Sequence, residues 1–206
     1  MNPPDIKKKR ELLPPNDLAN KIHVHRNCKI EGKKIEIGKG KACDVFNNVE
    51  FIDCEIKLHS AGRATKGATL NSSFKSCYIW AHKIQNIPTW EASFESCIFK
   101  GKYEVRFPGI IKDCDFSLAT FNSACFQQDE PLGNVKWPKY PHVIVNDAIA
   151  NFEDWKTIEK PKELSRFIVN PKTKGKVIVI NLATAVNEPD AFWEVLKEKD
   201  YVSTVK

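Results

Sequence analysis

Cysteine and histidine are the residues of this chain best suited to chemistry, because thiolates and imidazoles act as nucleophiles, general bases and metal ligands. The 206-residue sequence contains seven cysteines and five histidines. His23, His25 and Cys28 place three potential zinc ligands within six residues, and Cys43 would complete a tetrahedral site. The same inventory supplies a Cys/His nucleophile pair. Both hypotheses depend on where the cysteines lie in the fold.

The cysteines recur in a six-residue motif, Phe-x-Asp/Ser-Cys-x-Ile/Phe, which indicates a structural role for them. Four segments align on this motif without gaps: Phe51–Ile56, Phe74–Ile79, Phe94–Phe99 and Ile111–Phe116. A weaker copy precedes them and makes Cys28 the first member of the series. Cysteine and the apolar residue two positions later share one face of a strand, so both are expected in the core. Because buried thiols are inert, we predict no catalytic cysteine, no metal site and no cofactor.

The spacing of the motif indicates a solenoid. Successive motif cysteines are separated by 23, 20 and 17 residues, which are lengths typical of one turn of a repeat architecture. The Asp or Ser before each cysteine favours a bend, so each unit is a bend followed by a short inward-facing strand. The sequence therefore predicts a mainly β protein with a right-handed parallel β-solenoid over residues 23–127. An antiparallel β-sandwich with evenly spaced strands is the alternative.

These strings resemble those of the pentapeptide-repeat proteins over residues 23–127. The resemblance implies coils of five-residue units stacked into a right-handed β-helix, with small residues and Phe or Leu pointing inward. In this sequence the five-residue period is clear on one side of the coil, and residues 118–126 give the best additional stretch. A degenerate parallel β-helix fits the same strings.

The composition changes after residue 127, where several prolines mark an irregular connection. Strands are predicted at residues 142–146 and 176–181, and each precedes a segment with helical signals and a tryptophan. The helical segments are residues 151–167, broken near a proline, and residues 188–199. We predict that residues 128–206 form a small α/β region that caps the solenoid, because its last turn would otherwise expose core and unpaired backbone.

The excess positive charge lies in the first part of the chain. All of the formal net charge of +6 belongs to residues 1–126, and four of these positive charges form the run Lys7–Arg10 in a basic segment over residues 1–22. Such a run is usually a solvated tail, and nucleic-acid binding is the alternative. No apolar run is long enough to span a bilayer, and no apolar segment of a secretory signal follows the basic run. We therefore expect a cytoplasmic chain with free thiols and no membrane contact.

The motif also predicts the outer surface. If Cys and Cys+2 face inward, then Cys+1 and Cys+3 face outward. The Cys+1 positions are Glu55, Tyr78, Ile98 and Asp115, and the Cys+3 positions are Lys57, Trp80, Lys100 and Ser117. Tyr78, Trp80 and Ile98 form an apolar cluster within an otherwise polar face, which is typical of a protein-contact site. The alternative is that a loop or the C-terminal region covers the cluster.

The sequence predicts a non-enzymatic protein-interaction module that binds another protein through Tyr78, Trp80 and Ile98. An immunity or inhibitor role is an analogy at the level of the fold. A nucleic-acid-binding protein that uses the basic N-terminal part, and a β-helix enzyme that acts on a polysaccharide, are the alternatives. The chain lacks a phosphate-binding loop and a Gly-x-Ser-x-Gly nucleophile turn, and its positive charge disfavours DNA mimicry by an acidic surface.

Overall fold

The computed structural model describes residues 22–39, 43–59, 65, 68–159 and 176–206. The basic run Lys7–Arg10 and the end of the helical segment predicted for residues 151–167 lie outside these ranges. Within them, no helix is long and apolar enough to cross a membrane.

The chain winds into a β-solenoid of about five turns, as the motif predicts. The first three turns contain three strands each: β1 (Ile22–Arg26), β2 (Lys29–Glu31), β3 (Lys34–Ile37), β4 (Cys43–Asn47), β5 (Glu50–Ile52), β6 (Glu55–Leu58), β7 (Thr69–Leu70), β8 (Ser72–Lys75) and β9 (Tyr78–Ile87). The fourth and fifth turns contain two each, and the second strand of each pair is long: β10 (Ala92–Glu95), β11 (Ile98–Phe107), β12 (Ile111–Lys112) and β13 (Asp115–Phe126).

Strands of successive turns pair in parallel and produce three sheets. The first sheet has the order β1-β4-β7, and the second has the order β12-β10-β8-β5-β2. The third sheet begins with β3-β6-β9-β11-β13 and continues into the C-terminal region. Parallel pairing between turns excludes the antiparallel sandwich and confirms the predicted parallel solenoid.

A residue with a left-handed backbone turns the chain at the corner before each motif cysteine. Asp53, Ser76, Ser96 and Asp113 have φ values of 51°, 51°, 54° and 53°. Short polar side chains tolerate this conformation better than other non-glycine residues. The corner N–H then donates to a carbonyl of the following turn, as from Ser96 to Lys112 at 2.9 Å. The motif therefore has Asp or Ser before the cysteine because the backbone at this corner is left-handed.

Two columns of side chains fill the interior, as predicted. Phe51, Phe74 and Phe94 stack nearly parallel, with ring centroids 4.7 and 4.9 Å apart. The four motif cysteines Cys54, Cys77, Cys97 and Cys114 are at most 2% exposed. Each thiol donates to a carbonyl of the preceding turn, as from Cys97 to Phe74 at 3.3 Å.

The prediction that Cys28 begins the cysteine column is wrong. Lys33 occupies the place of Cys54 in the first turn, because the N–H of Glu55 donates to the Lys33 carbonyl and β3 pairs with β6 in that register. Cys28 instead lies at the corner between the first and second sheets, above Val49, and its carbonyl accepts from the N–H of Glu50. The two corners use similar Asx-type bends, so the local motif alone does not distinguish them.

The C-terminal region adds three strands to the third sheet and packs helices against them, as predicted. Its elements are β14 (His142–Val145), α1 (Phe152–Thr157), β15 (Val177–Asn181), α2 (Leu182–Ala185), α3 (Pro189–Leu196) and β16 (Val202–Ser203). β15 pairs antiparallel with β13, β14 with β15, and β16 with β14, which extends the sheet to eight strands. A second core lies between the helices and these strands and includes the buried Trp155.

Residues 132–137 cover the core of the last turn. Trp137 stacks on Phe116 with ring centroids 5.8 Å apart and contacts Phe126 edge-on at 5.3 Å. The N–H of Asp113 donates to the carbonyl of Leu132, so this segment continues the hydrogen bonding between turns. The sequence indicated only an irregular connection here.

A buried histidine links the C-terminal strands to the solenoid. His142 Nε2 accepts a hydrogen bond from the N–H of Phe121 at 3.1 Å, and its Nδ1 lies 2.9 Å from the Lys139 carbonyl oxygen. Nδ1 therefore carries the single ring proton, because only this tautomer satisfies both contacts. Burial lowers the pKa of His142, and the hydrogen bond to the Lys139 carbonyl only partly opposes this effect.

We expect Ser96→Val to lower the free energy of unfolding by about 1–2 kcal/mol, because a β-branched residue is strained at positive φ. Urea unfolding measures this change. Ser96→Gly should not show the loss, because glycine adopts this conformation freely. Ser73→Val is the matched control, since Ser73 is exposed within strand β8 and a β-branched residue suits a strand. Equal losses in both valine variants would contradict the importance of the corner.

We expect the free energy of unfolding to fall as the pH drops from about 7.5 to about 5.5. The unfolded chain binds a proton at His142 at a higher pH than the folded chain does, so acid favours the unfolded state. Urea unfolding at the two pH values should show a smaller decrease for His142→Gln than for the original sequence. His82→Gln, at an exposed histidine, is the control and should retain the original decrease. An unchanged decrease in His142→Gln would exclude His142 as its source.

Candidate functional site

The third sheet brings together all three residues predicted to bind a partner. Tyr78 and Trp80 lie on β9, are half-buried and point away from the core, and Ile98 on β11 is 40% exposed. Tyr78 pairs directly with Ile98 in the register of the two strands, and Trp80 pairs with Lys100. The apolar cluster inferred from the motif therefore exists as one continuous surface.

Two lysines hold the indole of Trp80. Lys57 Nζ lies 5.3 Å from the ring centroid and Lys100 Nζ lies 5.5 Å from it. The lysines belong to β6 and β11, which flank β9 on its two sides, so one ammonium group approaches from each side. His82 contacts the ring edge-on with a centroid distance of 5.9 Å. Cation–π contacts of this kind contribute roughly 0.5–1 kcal/mol each at exposed sites, and they explain why Trp80 is only half-exposed.

The fifth turn differs from the predicted column. Lys100 is opposite Leu118, not Ser117, because the register between β11 and β13 shifts between Ile98 and Lys100. Ser117 turns its N–H and hydroxyl toward one carboxylate oxygen of Asp115, at 2.9 and 2.6 Å. Leu118 is 56% exposed and joins the apolar cluster. Tyr78, Trp80, Ile98 and Leu118 are together called the Trp80 face.

Gly101 permits the irregular pairing beside Trp80. Its φ is +106°, and a Cβ atom at this position would lie 2.3 Å from the carbonyl oxygen of Ala81. Any other residue would collide with the neighbouring strand, so a glycine is needed where β9 and β11 change register. The sequence contains this glycine, but a single glycine in a strand does not specify the size or direction of a bulge.

Three cations and one carboxylate, Glu104, project from β11 beside the Trp80 face, which gives this strand a net positive charge. Lys100, Lys102 and Arg106 project from β11, and no carboxylate of the described residues lies within the 4.0 Å ion-pair distance of any of them. By contrast, the charge of Lys34 on the neighbouring strand β3 is neutralised, because Lys34 pairs with Glu55 at 3.0 Å. Lys34, and to a smaller extent Lys57, lowers the pKa of the Glu55 carboxyl below its usual value. Lys102 and Arg106 were not among the residues selected from the sequence, because the motif ends at Cys+3.

The C-terminal helices pack on a different part of the same sheet. Their core contains the outward residues of β14 and β15 together with Cys125 of β13. β15 joins the sheet at the end of β13, at Ser123–Phe126, beyond Leu118. Ile98 and Leu118 therefore remain accessible next to Trp80.

Cys54 and Cys97 of the core column, and Cys125 of β13, are poor candidates for chemistry. A hydrogen bond with the Cys77 thiol, together with burial, raises the pKa of Cys54 above its usual value. Hydrogen bonds with the Cys114 and Cys77 thiols, together with burial, raise the pKa of Cys97. Burial also raises the pKa of Cys125, and the charge of Arg106 opposes that effect only in part. A thiol with a raised pKa is a weak nucleophile at neutral pH.

The proposed zinc ligands are separated by the corner of the first turn. His25 is buried and stacks on Phe46 with ring centroids 4.7 Å apart. Cys28 lies beyond the bend at Asn27, whose φ is +49°. Among the residues that the structure describes, no three His, Cys, Asp or Glu side chains come together as a metal site. The side chain of Cys43 lies outside the described part.

The carboxylates of the motif stabilise turns. Asp113 accepts a hydrogen bond from the N–H of Asn134 at 2.8 Å, as expected for a corner residue. Asp115 accepts from Ser117 and pairs with Lys136 at 3.2 Å. These contacts lower the pKa of Asp115 although partial burial acts in the opposite direction. Such a carboxylate stays ionised at neutral pH, so it does not suit the role of a general acid.

We expect the four core cysteines to resist alkylation by iodoacetamide in the native protein, because their thiols are buried and bound to carbonyl oxygens. Site-resolved mass spectrometry should find Cys54, Cys77, Cys97 and Cys114 unmodified, and all seven cysteines modified after unfolding in urea. Cys28 is only partly buried and provides the internal comparison in the native sample. Rapid native labelling of Cys97 would contradict its place in the core.

The recurring Phe and Cys motif is thus matched by stacked parallel turns, and these turns form although the five-residue period is clear on only one side of the coil. Function has to be argued from the Trp80 face and its charges. No family model, curated protein or solved structure matches this chain.

Proposed function

We propose that this chain is a non-enzymatic protein-interaction module and that the Trp80 face is its contact surface. The observation that supports the proposal is the position of Trp80, held between Lys57 and Lys100 beside the exposed Ile98. Tryptophan and tyrosine are enriched among residues that dominate binding energy, and aliphatic neighbours extend the contact by excluding water.

The rigidity of the sheet favours this role. β9 pairs with β6 on one side and with β11 on the other, so its backbone is fixed before a partner arrives. The two cation–π contacts likewise restrict the side chain of Trp80. Because ordering of side chains and loops opposes association, a preformed surface loses less free energy on binding.

A role outside catalysis agrees with how the reactive residues are used. The motif cysteines point into the core, and Asp113 and Asp115 bind turns of the backbone. An enzyme that cleaves polysaccharides needs carboxylates that face a substrate groove as acid and base or nucleophile. The proposal of an interaction module requires no such group.

We further propose that the partner is an enzyme or toxin that the chain neutralises in the cytoplasm. This immunity or inhibitor role rests on analogy with other small solenoids that present a rigid surface. Its coils are proposed to be degenerate pentapeptide repeats, which the recurring Phe and Cys columns support. Cys54, Cys77, Cys97, Cys114 and Cys125 are free thiols, and free thiols are typical of reducing compartments.

We expect Trp80→Ala to remove partner binding while the fold is retained. Extracts of the source organism are passed over the immobilised chain, and the captured proteins are quantified by mass spectrometry. The partner should be depleted at least about tenfold on the Trp80→Ala variant, as for a binding hot spot. Urea unfolding should show that Trp80→Ala lowers the free energy of unfolding by no more than about 1–2 kcal/mol, because the side chain is half-exposed.

Ile110→Ala is the matched control for this experiment. Ile110 is 51% exposed and lies before β12 at the edge of the second sheet, away from the Trp80 face. Its variant should capture the partner as the original sequence does. Equal capture by the Trp80→Ala variant would refute the proposed surface, and global unfolding of that variant would identify Trp80 as a core residue.

A further inference from the structure

We infer that the partner of the Trp80 face is an acidic protein, whose Asp and Glu side chains pair with Lys100 and Lys102 around an apolar residue that contacts Ile98 and Leu118. This inference rests on the proposed function and specifies the chemistry of the partner. It follows from three features of the surface: the unneutralised cations, the position of the aliphatic side chains and the environment of the Trp80 ring.

The first feature is that the cations of β11 have no carboxylate partner among the residues that the structure describes. Lys57 is already within 3.5 Å of Glu55, whereas Lys100, on the other side of Trp80, has no carboxylate of the described chain in ion-pair distance. Lys102 and Arg106 are in the same situation two and six residues further along β11. An incoming carboxylate therefore meets these groups without displacing an existing ion pair, and charge complementarity favours an acidic surface.

The second feature is the aliphatic surface that borders these charges. Ile98 precedes Lys100 on β11, and Leu118 is opposite Lys100 on β13. The two side chains are 40% and 56% exposed. Both exposed aliphatic side chains therefore border Lys100, one on its own strand and one on the neighbouring strand. A partner that covers Ile98 and Leu118 must place an apolar side chain next to its own acidic residues. Protein surfaces commonly combine apolar and charged side chains in this way at interfaces.

The third feature distinguishes an acidic protein from a nucleic acid. Single-stranded nucleic acids bind basic surfaces by stacking their bases on the faces of aromatic rings. Both sides of the Trp80 ring are approached by ammonium groups, from Lys57 and from Lys100. These two ammonium groups would compete with an incoming base for the faces of the ring. Aliphatic side chains such as Ile98 offer no stacking platform, so a nucleic acid would gain phosphate contacts and, at most, stacking on the half-buried Tyr78.

The experiment selects binding peptides from a random 12-residue library displayed on phage, with the immobilised full chain as the target. We expect the enriched peptides to contain at least about twice the Asp and Glu content of the unselected library, placed beside an aromatic or aliphatic residue. Synthetic versions of these peptides should bind at least about tenfold more weakly to Lys100→Glu/Lys102→Glu and should lose affinity as salt is raised.

Lys112→Glu/Lys139→Glu is the control variant with the same change of charge. Both lysines are exposed, and they lie on β12 and in the connection before β14, away from the Trp80 face. This variant should bind the selected peptides within about twofold of the original sequence, because distant surface charges are screened. Urea unfolding of both double variants should confirm that each is folded.

The outcomes separate this inference from the proposed function. Enriched peptides that are not acidic but are lost on Trp80→Ala would refute an acidic partner and retain the contact surface. Peptides that bind Trp80→Ala unchanged, or no enrichment at all, would refute both. A (dT)20 oligonucleotide, measured by fluorescence anisotropy, should bind more weakly than the peptides. Tighter binding of the oligonucleotide that is lost on Lys100→Glu/Lys102→Glu would assign the surface to nucleic acid and overturn the inference.

Discussion

The hydrogen bond from each corner residue to the following turn is the constraint on which the structure depends. Asp53, Ser76, Ser96 and Asp113 share a positive φ and each donates its N–H to the next turn. Because this bond fixes where one turn lies on another, residues at equal distances from the corner form columns through the whole solenoid. The column of cysteines, the column of phenylalanines and the outward row of Lys57, Trp80 and Lys100 are all consequences of it.

The same constraint explains what could be predicted from the sequence. A six-residue motif specifies its own corner, its inward pair and its two outward positions, so the buried cysteines and the outward Tyr78, Trp80 and Ile98 followed from local spacing. Cys28 was misplaced because a second type of corner carries a similar bend, and only pairing over a whole turn distinguishes the two corners. Leu118 replaced Ser117 because a bulge depends on the neighbouring strand, which the motif does not include. The strands after residue 128 were evident from their apolar runs, whereas the contact of His142 with Phe121 is long-range and has no local signal.

A solenoid places equivalent residues of successive turns only about 4.8 Å apart, so a column of identical charges would repel itself. In the row of Lys57, Trp80 and Lys100 an indole separates the two ammonium groups, and its negative ring faces attract both. The ring therefore relieves a repulsion between the two lysines that the fold would otherwise create. Trp80 thus lies between two lysines for a structural reason. A partner would contact the indole and the lysines together.

The antiparallel addition of β15 to β13 has a consequence for the length of the solenoid. A parallel solenoid presents at each end a strand edge that fits another turn, including a turn from a second molecule. Here the direction of the chain reverses after the fifth turn, and Trp137 occupies the cross-section where the next layer of core would lie. This arrangement disfavours end-to-end growth into a filament at this end. The protein is thus a solenoid of fixed length at its C-terminal end.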